Sequence, residues 1–155
     1  MTCRKKKLHA YERHELLPYG LFPNGVPRLT PPFGDRKQWL VQEAFTYIDR
    51  EGNIIVVDKA FLTDLASIPR FLRAIFGVNK RETVGAVIHD FGYRNQKLAV
   101  YNIFSEKYVV LRKEDWDGIL SDVMKLAKTK PIREKAIAAG IWCFGWIGWN
   151  GNQKK

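Results

Sequence analysis

The stretch RETVGAVIHDFGYR, residues 81–94, places a histidine directly before an aspartate in a segment that we predict to be an α-helix. Consecutive helical residues point about 100° apart, so His89 and Asp90 cannot lie on one line but can flank a shared pocket. Gly85 and Gly92 each destabilise a helix by up to about 1 kcal/mol relative to alanine, so we expect a packing or functional reason for them. Position 89 shares its face mostly with small residues, which leaves room for another segment to approach the imidazole; the five positions are Glu82, Gly85, Ala86, Gly92 and Tyr93.

The upstream segment TDLASIP, residues 63–69, is the segment that we expect to approach His89. The residue before a proline is pushed away from helical angles, whereas proline suits the first turn of a helix. A helix is therefore predicted to begin at or near Pro69 and to end at Gly77. If the carboxylate of Asp64 reaches a ring nitrogen of His89, it fixes the tautomer and raises the basicity of the imidazole, as in a general base.

The neighbouring polar residues leave two interpretations open. Asp90 can bind a metal ion, orient a water molecule, or pair with Arg70 or Arg94, and Asp117 is a further carboxylate that folding can bring in. The same residues can equally form a satisfied polar network without any chemistry. A catalytic His89 should open into a cleft that solvent reaches, whereas a structural His89 should be sealed and fully hydrogen bonded.

Two regions of the chain have the composition of β-strands. Residues 38–48 and 54–61 are rich in β-branched and aromatic residues on either side of the turn sequence DREGN, which predicts a β-hairpin. Residues 100–111 predict a further strand or hairpin with a polar bend at residues 105–107.

Two more helices are predicted towards the end of the chain, over residues 112–128 and from Pro131 onwards. Strands and helices are segregated and do not alternate regularly, which favours an α+β fold. We expect a single domain over residues 38–150, in which a small antiparallel sheet or hairpin packs against about four helices. A short basic tail, residues 151–155, follows.

The first 37 residues have the character of a basic, extended, proline-rich arm. Five of the seven prolines of the chain lie in residues 18–32, where fixed φ angles and missing donors exclude helix and central strand. The apolar residues between these prolines are too numerous for a free linker. We therefore expect the arm to lie against its own domain or against a neighbouring subunit.

The apolar run AIAAGIWCFGWIGW, residues 136–149, is 14 residues long, whereas a membrane-spanning helix needs about 20. Trp142, Trp146 and Trp149 follow one another at spacings of four and three residues, so they share one helical face. Core packing is the main expectation for this face. A docking surface for another subunit and a helix on a membrane surface are the alternatives.

Composition limits the classes of partner and cofactor. The 155-residue chain has a net charge of +10, but the excess lies at its two ends: residues 38–112 hold 10 basic and 8 acidic residues. This distribution argues against specific nucleic-acid binding. Only two cysteines occur, with no zinc-ligand spacing, and no secretory signal or transmembrane segment is recognisable. Synthesis in a reducing cytoplasm and no cofactor are expected.

Three motifs carry a resemblance to a known family. They are F-x-TD-L-A-S-I-P-R-F at residues 61–71, HD-x-x-YR at 89–94, and RKEDWD at 112–117. Together they resemble a family of bacteriophages and prophages that is known only as a domain of unknown function, over about residues 38–127. The chain departs from the family at Trp116, where a small residue is usual, and at Gly92, where a bulkier one is usual. Its matching polar positions are Thr63, Asp64, Ser67, His89, Asp90, Tyr93 and Asp117.

The helix motif HD-x-x-Y is also similar to that of secreted phospholipases A2, in which the histidine activates water and the aspartate binds calcium. The chain lacks their disulfides and their glycine-rich calcium loop. HD-type phosphohydrolases need a further metal-binding histidine upstream of the pair, and only His9 and His14 are available for that role.

Two functions follow as expectations. The first is a phage-encoded binding or assembly protein, associated with the virion or tail, made in the host cytoplasm, whose partners are other phage proteins. The alternative is a small hydrolase in which His89 is the base, Asp64 orients it and Asp90 holds a divalent metal ion or water. The oligomeric state stays open. Residues expected to support the His-Asp cluster are Ser67, Arg70, Tyr93, Arg94 and Asp117.

Overall fold

The computed structural model of the chain describes residues 20–22, 29–30, 38–63, 81–126 and 130–152. These ranges contain eight β-strands and three α-helices. The strands are β1 (Gly20–Phe22), β2 (Leu29–Thr30), β3 (Trp39–Val41), β4 (Phe45–Ile48), β5 (Asn53–Val57), β6 (Leu62–Thr63), β7 (Ala99–Asn102) and β8 (Lys107–Val110). The helices are α1 (Arg81–Arg94), α2 (Lys113–Leu126) and α3 (Pro131–Asn152).

The strands form two small antiparallel sheets, which confirms the α+β class. The larger sheet has the order β1-β4-β5-β7-β8 and the smaller one the order β2-β3-β6. The predicted hairpin at DREGN is present as the pair of β4 and β5. The strand predicted over residues 38–48 is interrupted, however, because its first part, β3, pairs with β2 and β6 in the other sheet.

Two predicted features fall partly or wholly outside the described residues. The helix predicted from Pro69 lies within residues 64–80, so it stays a prediction. Of the predicted arm, only β1 and β2 are described, and they form edge strands that pair with β4 and β3. Edge strands are the positions that a proline-rich sequence tolerates in a sheet.

A buried polar cluster joins the turns of two hairpins in the larger sheet. Asp49 accepts hydrogen bonds from the backbone of Glu51 and from the backbone and side chain of Asn53. Asn102, at the end of β7, donates to the side chain of Asn53 and to the carbonyl of Glu51. Gly52 closes the first turn with a φ of 83°, in the left-handed region that favours glycine. The cluster fixes the register of β5 against β7.

Helix α1 is the centre of the molecule. Every residue from Thr83 to Tyr93 is buried, since the helix packs against α2, α3 and β6. Side chains of the sheets and of the helices belong to one hydrophobic core, which includes Tyr47, Ile55, Ile88 and Leu120. A helix that is enclosed on all sides needs no polar face, so the polar residues that it does carry require partners inside the protein.

The two glycines of α1 allow α2 to pack closely against it. A Cβ atom at position 92 would lie 2.1 Å from the ring of Trp116, and one at position 85 would lie 2.9 Å from Leu120. Side chains of α2 thus occupy the space beside both glycines. The predicted approach of the TDLASIP segment to His89 stays a prediction, because residues 64–69 lie outside the described part of the chain. Gly92 and Trp116 are in contact, so the large side chain fills the space that the glycine leaves.

Replacing Gly92 by alanine is expected to lower the free energy of unfolding by about 3 kcal/mol, because the new methyl group overlaps the buried Trp116 ring. Gly118→Ala in α2 is the matched control, since a Cβ atom there meets nothing within 4 Å. Alanine at that exposed helical position should raise stability by up to about 1 kcal/mol. Urea denaturation measures both changes, and equal effects at the two positions would contradict the packing.

The double variant Gly92→Ala with Trp116→Leu tests the same contact from the other side. The smaller leucine should make room for the methyl group, so the double variant should be more stable than the sum of the two single losses predicts. Strict additivity in urea denaturation would show that the two positions do not touch.

Candidate functional site

The candidate site lies where α1 crosses α2, around the carboxylate of Asp117. His89 Nε2 lies 2.9 Å from Asp117 Oδ1, and Tyr93 Oη donates to the same oxygen at 2.8 Å. Lys113 Nζ donates to the other oxygen, Oδ2, at 2.6 Å. His89 and Tyr93 are four residues apart on α1, as Lys113 and Asp117 are on α2, so each pair occupies adjacent turns of the facing sides of two helices.

The protonation states of the cluster follow from these contacts. Burial alone would raise the pKa of Asp117, but the hydrogen bonds from His89, Lys113 and Tyr93 outweigh it and hold the pKa below its ordinary value. Burial, together with the hydrogen bond to Asp117, raises the pKa of Tyr93 far above its ordinary value. Asp117 is therefore an ionised acceptor at neutral pH, and Tyr93 is a neutral donor.

These states also fix the tautomer of a neutral His89. An ionised carboxylate only accepts hydrogen bonds, so Nε2 must carry the proton that lies between the ring and Asp117. The lone pair is then on Nδ1. The ring is 0% exposed, and Nδ1 has no hydrogen-bond partner among the described residues.

Helix α3 covers the cluster from a third direction. The backbone at Gly145 packs so closely that a Cβ atom there would lie 2.8 Å from Tyr93 Oη and 3.1 Å from Lys113 Nζ. The ring of Trp149 meets that of Tyr93 edge to face at 5.2 Å, and the Lys113 ammonium lies 5.1 Å from the ring centre of Trp146. All three helices thus meet at the Asp117 network.

Asp90 belongs to a separate contact on another side of α1. Its Oδ1 lies 3.3 Å from Nε of Arg94. A second nitrogen of the same guanidinium, Nη1, donates to the carbonyl oxygen of Leu62 at 2.7 Å, and the guanidinium lies over the ring of Phe61. Among the contacts of the described residues, Asp90 pairs with Arg94, one of the partners that the sequence suggested; the other, Arg70, lies outside the described residues. In the described part of the chain, no group of three or more His, Cys, Asp or Glu residues is arranged to hold a metal ion.

The structure thus divides the predicted site residues into three sets. His89, Tyr93 and Asp117 come together, and Asp90 joins Arg94. Asp64, Ser67 and Arg70 lie outside the described residues. His89 contacts Asp117 of α2, whereas the Asp90–Arg94 pair contacts Leu62 of β6. That both residues of the HD pair flank one pocket stays a prediction, because the segment expected to approach them lies within residues 64–80, outside the described part of the chain.

Lys113 is the member of the cluster that sequence reasoning missed. Its side chain is 6% exposed and pairs with Asp117 four residues later. The spacing was visible in RKEDWD, because lysine and aspartate four residues apart on a helix are neighbours. Nothing in the local pattern distinguished a buried pair from an ordinary surface pair.

The outer face of α3 carries several large apolar side chains. Gly145 and Trp149 belong to the buried stripe of the helix, whereas Trp142 is 80% exposed and Trp146 is about half exposed. The expectation that the tryptophan face packs into the core is therefore right for Trp149 and wrong for the other two. The buried stripe of α3 runs at four-residue spacing through Ile137, Ile141, Gly145 and Trp149, and Trp142 and Trp146 each follow a stripe residue by one position, about 100° further round the helix. Among the described helices, none is long and apolar enough to cross a membrane.

Asp117→Asn is expected to lower the free energy of unfolding by about 3 kcal/mol at neutral pH, since it leaves the buried Lys113 ammonium without its charged partner. The lowered pKa means that the stabilisation by Asp117 is fully present above the unfolded value of 3.8 and is lost as pH falls through the folded value. The stability difference between wild type and variant should therefore be constant above about pH 5 and shrink progressively from about pH 5 downwards.

Asp122→Asn provides the control on the same helix, because Asp122 forms a partly exposed ion pair with Arg50 at 3.7 Å. Its effect should stay below about 1 kcal/mol. Chemical denaturation at a series of pH values measures both variants. An Asp117→Asn effect that does not change over this pH range would contradict an ionised, network-held carboxylate.

Comparison with known proteins places the chain in a family. No curated protein and no solved structure matches it. Residues 39–141, which include β3 to β8, α1, α2 and half of α3, match one family model. This range contains the site at the crossing of α1 and α2. The chain belongs to the family described as "Protein of unknown function (DUF1353)".

Proposed function

We propose that the protein is a phage-encoded binding or assembly protein that docks onto other subunits of the virion or tail through the outer face of α3. The observation that carries this proposal is the set of large apolar side chains which that face exposes. Trp142 and Ile147 are 80% and 71% exposed. The complete set is Ile132, Trp142, Phe144, Trp146 and Ile147.

Burial of these exposed apolar side chains against a partner would lower the free energy of the complex. Complete burial of one fully exposed side chain of this kind contributes about 1.5 to 3 kcal/mol, and the half-exposed Phe144 and Trp146 would gain about half of that on binding a partner. Continuous apolar patches beyond about 300 to 600 Å² are rare on monomeric proteins and mark interaction sites. Tryptophan and phenylalanine are, in addition, enriched in the cores of protein interfaces.

A second apolar surface favours protein subunits over a lipid surface as the partner. The larger sheet turns Tyr108 and Val110 of β8 and Val56 of β5 away from the core, and all three are exposed. The ring of Tyr108 packs against that of Tyr101 on the neighbouring strand. Two apolar faces that point away from one core can contact two neighbours at once, as a subunit inside an assembly does, whereas a membrane surface covers one side.

The His89 cluster fits a structural role in such a protein. The imidazole is sealed from solvent and bonded to Asp117, and the backbone of α3 packs on Lys113 and Tyr93. The network therefore holds α3 in one position and presents its outer face from a fixed scaffold. Phage origin, which the sequence resemblance implies, and location in the virion are parts of this proposal.

The double variant Trp142→Lys with Ile147→Lys tests the docking face. Both residues point to solvent, so the fold and the thermal midpoint should change little, while incorporation into particles should fall at least about tenfold through the loss of apolar contact area. Incorporation is measured by immunoblotting particles purified from infected cells. A matched control is Glu43→Gln with Asp58→Asn, which changes the net charge by the same amount at exposed positions away from α3.

Equal incorporation of the α3 variant and the control would overturn the proposal. So would the absence of the wild-type protein from particles. Sedimentation of the purified protein separates a further case: self-association that the α3 variant abolishes would make a second copy, and not another subunit, the occupant of the face.

A further inference from the structure

We propose that β8, the outermost strand of the larger sheet, pairs with β8 of a second copy of this chain and joins two five-stranded sheets into one continuous antiparallel sheet. The contact is made mainly by backbone groups, and a twofold axis relates the two copies. This inference goes beyond the docking of α3 and does not depend on it, because β8 and α3 share no residue.

Strand β8 lacks the devices that usually protect the edge of a sheet. Among the described strands it pairs only with β7. An exposed edge can pair with another chain, and proteins prevent this with prolines, very short strands or a covering segment. The opposite edge, β1, has three residues and lies between Pro18 and Pro23, whereas β8 has four residues and no proline. Tyr108 and Val110 are 73% and 55% exposed, so they are accessible to a second strand.

The hydrogen bonds of the sheet show which backbone groups of β8 point outwards. The N–H of Ile103 donates to the C=O of Gly52, on the side of β5. Hydrogen-bonding direction alternates along an antiparallel strand, so the preceding residue, Asn102, turns its backbone groups towards β8, where it lies opposite Lys107. Lys107 therefore bonds inwards to β7, and the next residue but one does the same. The residues of β8 whose N–H and C=O point away from the sheet are Tyr108 and Val110.

These outward groups can pair in a symmetric dimer. If Val109 lies opposite Val109 of the second copy, each Tyr108 lies opposite Val110 of the other copy, and each such pair can exchange both of its N–H···O bonds. An aromatic residue opposite a β-branched one is also a favourable cross-strand pair. The register thus satisfies all the outward backbone groups of the strand.

The charges just beyond the two ends of β8 favour the same register. It places Glu106 opposite Arg112 of the second copy, so two ion pairs form per dimer. Glu106 is exposed, and the Arg112 side chain is 79% exposed, with only a surface contact to Asp115 at 3.6 Å. An axis at Lys107 would oppose two lysines, and an axis at Tyr108 would leave both charges opposite apolar residues. Charge complementarity therefore identifies a second copy as the partner of this edge.

Pairing would also enlarge the apolar outer face of the sheet. Val56, Tyr108 and Val110 are exposed on that face, and the ring of Tyr108 packs against that of Tyr101. In the joined sheet the faces of the two copies lie side by side. The dimer then offers one broad apolar surface in place of two small ones.

Val110→Pro is the first test, measured by sedimentation equilibrium of the full-length chain. Proline removes an outward N–H that pairs only across the dimer, and proline is tolerated on an edge strand at such a position. The dissociation constant should rise at least about tenfold, because each copy loses one interchain hydrogen bond. Val110→Thr is the matched control, since it keeps the N–H and the branched shape, and it should dimerise nearly as well as the wild type.

Charge reversal tests the register and does not depend on the fold of the proline variant. Glu106→Lys alone places two cations together, and Arg112→Glu alone places two carboxylates together, so each single variant should weaken the dimer about fivefold. The double variant Glu106→Lys with Arg112→Glu restores opposite charges and should regain most of the wild-type affinity. Equal dimerisation of all three variants and the wild type would overturn the proposed pairing.

Other outcomes of sedimentation would overturn the inference as well. A wild-type chain that stays monomeric at every concentration has no such contact. Equal weakening by Val110→Pro and Val110→Thr would mean that the copies meet through the apolar face of the sheet, and not through its edge. Trp142→Lys with Ile147→Lys should dimerise normally, and a loss of dimers in that variant would place the second copy on α3. Wild-type dimers that are absent from phage particles would support the pairing of β8 and contradict only the docking of α3.

Discussion

The carboxylate of Asp117 is the group on which the helical half of the molecule depends. It lies between α1 and α2 and accepts hydrogen bonds from His89, Tyr93 and Lys113. A charge in this position is costly unless its hydrogen-bonding capacity is filled, and each of the three donors is in turn held in place by the carboxylate. The close approach of α3 at Gly145 then requires that Tyr93 and Lys113 stay where they are.

The interior and the surface of the protein differ in polarity. The interior contains an ionic network, whereas α3 and the larger sheet expose aromatic and aliphatic side chains to solvent. Gly145 lies in the buried stripe of α3, at its contact with Tyr93 and Lys113. Because glycine has no side chain, the backbone of α3 packs directly on the network there, and the opposite face of the helix stays exposed. Helix α3 therefore has the His89 network against its buried face and the proposed docking surface on its outer face, and Trp146 lies between them, with its ring centre 5.1 Å from Lys113 Nζ.

Local patterns predicted α1, α2, α3 and the hairpin of β4 and β5, whereas tertiary contacts determined how the other strands pair. Helix α1 matches its predicted range, α3 begins at the predicted Pro131, and the turn DREGN does join two paired strands. The sequence did not indicate the division into two sheets, because β3 pairs with β2 of the proline-rich arm and with β6, and not with the strand that follows it, β4. The sequence identified Asp117 as a carboxylate that folding could bring next to His89. Its hydrogen bonds with His89 and Tyr93 depend on how α1 crosses α2, and hydrophobic periodicity does not predict that crossing.

Native-state hydrogen exchange of Asp117→Asn tests most directly whether this carboxylate joins the three helices. If it does, the free energies of opening measured for the amides of α1, α2 and α3 should fall together and by similar amounts. The amides of β4 and β5 should retain more of their protection against exchange. Loss of protection confined to α2, the helix that carries the substitution, would contradict the account and would reduce Asp117 to a local contact.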